Sequence, residues 1–246
     1  MNKILGKKSP RFDKRTLHFS KYTQTLISPP DTVNWTKAVP SWPMLKNDVI
    51  GDCTIAAALH QIESWSYNAG VPFIPTDGEA LAAYEAVSGY DPKTGANDNG
   101  AVLLDVLKYW KKNGIANHKI IAYVALEPNN HIQLKQSIDL LGTAYIGLAL
   151  PLAAQNQEGV WHMTQVGTKG QGAPESWGGH AVNIVGYDDN GLTLITWGRT
   201  WRMTWRFYEN YCDESYGILS QDWIEKNNKA PNGFDLQTLE QDLLAL

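Results

Sequence analysis

Two residues of this sequence have the type and setting for covalent chemistry, Cys53 and His180. Cys53 follows Asn47-Asp48 and Gly51-Asp52 and opens the run CTIAAALHQIESW, where Ile55, Ala58, Leu59, Ile62 and Trp65 recur at helical spacing. A thiol on the first turn of a helix faces unsatisfied backbone N–H groups and the positive end of the dipole, which favour the thiolate. The same N–H groups can face an oxyanion. His180 stands behind Gly178-Gly179 at the head of the run HAVNIVGYD, and small residues there let a substrate backbone approach. A cysteine on a helix and a histidine on a later sheet are the nucleophile and base of thiol catalysis.

The elements that must position this pair follow from periodicity. Helices are predicted from Cys53 to about Tyr67, at 78–88, at 100–113 with Gly114 as the stop, and at 131–141. Between the second and third lies GYDPKTGANDNG, an ordered loop long enough to border a cleft. From residue 143 the character changes. AYIGLAL, HAVNIVGYD, LTLITWG, WRFYENY and YGILS read as strands, and Asp188-Asp189-Asn190-Gly191 reads as a hairpin turn rather than a calcium loop. The expected class is α+β, with a helical first half and an antiparallel second half. Pro29-Pro30 closes a basic arm at 1–30, a main domain runs over 31–232, and a tail at 233–246 places Leu236, Leu239, Leu243 and Leu244 on one helical face.

With 246 residues, 43% hydrophobic and 19% charged, the chain can bury a large core in one domain or two packed lobes. No apolar run approaches the roughly 18 residues of a membrane span. The opening MNKILGKKSPRFDKR lacks a signal-peptide core, so a cytoplasmic or virion-associated protein without membrane contact is expected. Two cysteines exclude a disulfide scaffold, a four-cysteine zinc site and an iron–sulfur cluster. His118, His131 and His162 lack ligand spacing, so neither metal nor cofactor is expected. Cys212 reads as structural and His60 as a core histidine, while Trp161 and Trp177 are the aromatic candidates for a cleft. The net charge of −4 hides an asymmetry. Lys3, Lys7, Lys8, Arg11, Lys14, Arg15 and Lys21 all fall in the arm against one acid, Asp13. With no base-reading motif, the arm is expected to lie over its own acidic domain rather than on nucleic acid.

VNWTKAV, LKNDVIGDCTIAA and GGHAVNIVGYDDNGLTLITWGRTW together resemble the papain-type cysteine peptidases, over roughly residues 31–225. The resemblance implies a two-lobed fold with the active site between lobes. It implies Cys53 as nucleophile, His180 as base, Asn47 as oxyanion donor, and Trp197 and Trp201 as aromatic shields. Asn99-Gly100, with Gly179 and Trp177, would receive a peptide or protein substrate. SGYDPKTGANDNG with WPMLKNDVIGDCT is similar, more closely, to papain-like proteins of bacteria and their phages. The chain departs from the family pattern at four places. Ile195 stands where the family's orienting Asn is expected, which leaves Thr196 or a backbone carbonyl for that role. Asn47 is one methylene shorter than the family's Gln. Thr54 replaces a Trp, and the family's disulfide cysteines near the active-site turn are missing, which fits a reducing compartment. Two alternatives remain open at this level. One is a catalytically weak or inactive binding or virion structural module that docks a protein partner through arm or tail. The other is a peptidoglycan amidase or acyltransferase, suggested by Asp52-Cys53-Thr54.

Overall fold

The first helix is the axis of the molecule because nearly every residue in it is small or apolar. α1 (Cys53–Ala69) buries Ile55, Leu59, Ile62 and Trp65, and its run Ala56-Ala57-Ala58 leaves no side-chain bulk between helix and sheet. Gly70 ends it in the left-handed conformation, at φ 74°. α2 (Asp77–Ser88) starts with a capping box between Thr76 and Glu79, and α3 (Leu103–Asn113) stops at Gly114. Trp65 and Trp110 meet at 5.9 Å in the core these three helices share. The computed structural model describes residues 2–23, 28–165, 167–221, 223, 238 and 241. The leucine-bearing face expected in the tail lies outside the described residues.

The sheet is assembled from β1 (Val33–Asn34), β2 (Ile120–Ala125), β3 (Ala144–Leu150), β4 (Val160–Trp161), β5 (Gly178–Asp188), β6 (Gly191–Thr196), β7 (Arg199–Thr204) and β8 (Cys212–Ser220). The order is β2-β8-β3-β5-β6-β7-β4, with β1 added to β5. Pairing is antiparallel except between the short β4 and β7, which run parallel. Strand alternation divides the sheet between two cores. Tyr145 and Ala181 face the α1 side, while Ile146, Leu148, Val182 and Ile184 face the interior of the β lobe. α4 (His131–Leu141) closes that second core with Leu134, Ile138 and Leu141. The protein is thus an α+β molecule, as the residue pattern predicts, with the two lobes that the papain resemblance implies.

Two elements differ from expectation. WRFYENY is a helix, α5 (Trp205–Tyr211), whose first turn is capped by Thr204 Oγ1 accepting from the Phe207 N–H. Its aromatic residues favour strand locally, but Phe207, Tyr208 and Tyr211 lie on one buried helical face. The helical half also contributes a strand, β2, which pairs with β8 across the lobe boundary.

Candidate active site

α1 is held at a fixed height against the sheet. Tyr145 Oη donates to the Thr54 carbonyl at 2.6 Å, and Trp65 Nε1 donates to the Leu141 carbonyl at 2.8 Å. This anchoring brings Cys53 to the head of β5, where the backbone of Ala181 hydrogen-bonds its sulfur. The backbone group that meets the Cys53 sulfur thus belongs to the residue after His180. The turn before Cys53 is braced from the loop after α2. Asp98 Oδ1 accepts from the Gly51 N–H at 2.9 Å and from Tyr84 Oη at 2.8 Å, and Tyr84 Oη accepts from the Gly100 N–H.

His180 is fully buried. Its Nε2 lies 2.7 Å from Thr196 Oγ1, and its Nδ1 has no hydrogen-bond partner among the described residues. Alternation along β6 explains why Thr196 meets the ring and Ile195 does not. Leu192 and Leu194 share the core of Val182 and Ile184, and residue 196 continues that face, whereas Ile195 points away from it opposite Asn183. Trp197 and Gly198 form the two-residue connection from β6 to β7, at φ 46° and 68°. The left-handed Trp197 is a strained position, and it lays the indole over His180 at 4.5 Å and 18°. Trp201 supports Trp197 at 5.8 Å, and Trp177 flanks it at 6.0 Å. Trp161, by contrast, is no cleft residue. It is buried beneath this cluster, against Trp201 and Phe207.

The groove between the lobes is occupied by the chain's own N-terminus. Lys7 N–H donates to the Gly179 carbonyl at 3.0 Å, on the β-lobe rim. On the helical rim Ala101 N–H donates to the Gly6 carbonyl at 2.8 Å, and Lys8 N–H donates to the Ala101 carbonyl at 2.9 Å. The arm lies parallel to the segment at Ala101. Three glycines permit this contact. A Cβ at Gly6 would lie 1.8 Å from the Gly51 carbonyl oxygen, one at Gly100 1.8 Å from the Gly6 oxygen, and one at Gly179 2.1 Å from the Lys7 oxygen. Asn47, 2% exposed, donates through Nδ2 to the Ile4 carbonyl at 3.4 Å, and Trp197 Nε1 donates to the same oxygen at 3.3 Å. Of the expected substrate-binding residues, Gly100 and Gly179 thus touch the arm, while the backbone hydrogen bonds of the helical rim come from Ala101 and Asn99 stays exposed.

Charge follows the same path. Lys3 pairs with Glu158 and stacks its ammonium over Trp201 at 5.1 Å, Lys7 pairs with Asp213 and Arg11 with Asp105, while the arm's one acid, Asp13, pairs with Arg15 beside it and with Lys108 of α3. The basic arm lies over its own acidic body, as expected from the charge asymmetry.

In the occupied groove burial governs the electrostatics of both residues. Cys53 is 1% exposed, and burial pushes its thiol up to about 12. Backbone hydrogen bonds from Ala181 and Gly6 pull the other way without prevailing. Burial, assisted by the Lys7 charge, takes His180 down to about 3. In the occupied groove desolvation thus opposes the helix-end effect that favours a thiolate. Cys53 and Cys212 are both free thiols.

No family model matches this chain, and no curated protein matches it either. Solved structures do. Xylellain, a cysteine protease from Xylella fastidiosa, superposes with a TM-score of 0.67 at 18% identity, over 87% of this chain and 95% of that one. Procathepsin B S9 from Trypanosoma congolense gives 0.60 at 11% identity, over 89% and 87%. Digestive procathepsin L 3 from the Tenebrio molitor larval midgut gives 0.58 at 13% identity, over 89% and 75%. At such identities the likeness is one of fold, and the fold is papain-like.

Proposed function

We propose that this chain is a cysteine peptidase-like hydrolase that cleaves a peptide or amide bond, held here in a latent form by residues 3–8. The observation that carries the reading is the state of His180. Nε2 is engaged by Thr196 at 2.7 Å, Nδ1 is left without a partner, and the sulfur of Cys53 rests on the backbone of the next residue, Ala181. With Nε2–H donating to Thr196, the lone pair on Nδ1 is available to take the Cys53 proton. The thiolate then attacks the carbonyl carbon, and the electron pair of the C=O bond moves onto oxygen. Asn47 Nδ2 and the Cys53 N–H hold that oxygen. Collapse expels the amine, which takes the proton from His180, and water releases the acyl group by the same route in reverse. Trp197 and Trp201 keep water from the imidazole. Asn47 already donates to a backbone carbonyl in the groove, that of Ile4.

The test is hydrolysis of a peptide pool by the Gly6→Leu chain, in which the arm has no room to seat. Cleavage that disappears in Gly6→Leu/Cys53→Ala supports the reading, and equal inertness of both proteins overturns it. The burial of Cys53 favours a second reading, a papain-fold binding module that has no turnover. Virion association and cell-wall substrates stay within these proposals, distinguished by whether peptides or wall fragments are released.

A further inference from the structure

Within residues 3–8 it is Lys7 that is buried, with 1% of its side chain exposed. Its N–H bonds the β-lobe rim at Gly179 while its neighbours Gly6 and Lys8 bond Ala101 on the helical rim, and its side chain passes Gly147 of β3. A Cβ on Gly147 would come within 2.1 Å of the Lys7 Cε, so this glycine is what keeps the shaft open. The ammonium lies 2.7 Å from Asp213 Oδ2, whose side chain is 25% exposed, 3.4 Å from Glu214 Oε1 and 3.3 Å from the Lys8 carbonyl, to which it donates. The Glu214 side chain is 6% exposed, and its Oε1 has no hydrogen bond among the described residues. Tyr216 Oη donates to the other oxygen, Oε2, at 3.1 Å and fixes the carboxylate plane.

We propose that this shaft, lined by Gly147, Asp213 and Glu214, is a specificity pocket selecting a lysine or arginine side chain in any peptide paired with Ala101 and Gly179. The substrates of the Cys53 site are then basic peptides. The proposal rests on the peptidase reading for the word substrate, but the pocket's preference stands apart from turnover. Taking an ammonium out of water costs several kcal/mol, and only close carboxylates offset it. An apolar side chain entering the same shaft would leave Glu214 buried with neither cation nor hydrogen bond on Oε1, and an acidic one would meet like charge. Burial holds the Glu214 carboxyl up at about 7 even beside Lys7, so it is poised to ionise as a cation arrives. The pocket opens beside the Cys53 sulfur, because the backbone of Gly6, the residue before Lys7, is hydrogen-bonded to it.

Two measurements test this. In the intact chain, the rate of Cys53 alkylation reports how firmly the arm is seated. Lys7→Met is expected to raise it about tenfold or more and Lys7→Arg to leave it near the parent value. In the full-length Gly6→Leu chain, fluorescence anisotropy of the labelled peptide NKILGKKSP is compared with its counterpart carrying norleucine at the sixth position. The lysine peptide is expected to bind at least tenfold more tightly, and the double variant Asp213→Asn/Glu214→Gln to erase the difference. Equal alkylation of Lys7→Met and parent, or equal binding of the two peptides, overturns the pocket. Tighter binding of the lysine peptide with no Cys53-dependent cleavage of any peptide keeps the pocket and overturns the peptidase.

Discussion

His180 Nε2 and Thr196 Oγ1 lie 2.7 Å apart inside the β lobe, with the indole of Trp197 stacked on the same imidazole. A hydroxyl on the last residue of β6 thus holds the ring from one side and leaves Nδ1 facing no partner among the described residues.

Thr196→Val keeps the shape and removes the hydroxyl, so Nε2 is left buried without a partner. A cost of about 1–3 kcal/mol is expected in urea denaturation. In the Gly6→Leu background kcat is expected to fall while KM stays near its parent value, since the ring loses its preferred tautomer rather than its contact with substrate. Thr196→Ser restores both. A Thr196→Val chain with unchanged kcat would remove Thr196 from the reaction.

Acid stability follows from two buried imidazoles. His60, with Nε2 2.9 Å from the Pro43 carbonyl, is brought down by burial to about 4, and His180 to about 3. Below about 6.5 the unfolded chain binds a proton at each of these sites and the native chain does not, so stability is lost as pH falls from there towards 3–4. Each group contributes a slope of about 1.4 kcal/mol per pH unit at most. Replacing His60 by Gln keeps a donor for Pro43 and is expected to flatten the fall in urea midpoint between pH 6.5 and 4. An unchanged slope would mean that His60 is not neutral in the native state.

The brace at Asp98 links three parts of the groove through one carboxylate oxygen. Asp98→Ala leaves the Gly51 N–H and Tyr84 Oη without their acceptor and is expected to cost about 1–3 kcal/mol in denaturant. Because the Gly51 turn leads directly into Cys53, the same variant is expected to raise Cys53 alkylation in the intact chain. A loss of stability with alkylation unchanged would make Asp98 a stabiliser of the loop alone.

The parts of the site carried by local pattern were legible in the residues: the helix that opens with Cys53, the strand led by His180, and the turn at Asp188. Strand alternation also separates Ile195 from Thr196 once the β6 register is known, and that register needs the pairing of Asn183 with Ile195. WRFYENY misleads because four aromatics in seven residues carry β propensity, whereas its helical face is fixed by the β-lobe core. Residues 3–8 have no periodicity at all. Their place is set by contacts more than 40 residues away along the chain, such as Ala101 and Gly179, and by glycines whose role shows only when another backbone lies against them. Ala101, Asp213 and Glu214 escaped notice for the same reason, since a backbone pair on a loop and two acids in a Tyr-rich run carry no spacing signal.

On the peptidase reading, the arm is expected to stay uncut in the parent chain. It is the Gly6 backbone group donating to the sulfur, hence its N–H, that sits at Cys53, and not a carbonyl carbon. Of the nearby carbonyls, that of Gly6 accepts from the Ala101 N–H on the helical rim, and that of Ile4 accepts from Asn47 and Trp197. Attack needs the reacting carbon in line with the thiolate at about 3–3.5 Å, and burial keeps the thiol protonated up to about 12. At pH 7.5 the intact-mass spectrum of the full chain is therefore expected to stay unchanged over days, while an added basic peptide is cut by the Gly6→Leu chain under the same conditions. Cysteine-dependent loss of residues 1–4, 1–5 or 1–6 from the parent chain would show that the arm is a substrate in waiting rather than a plug.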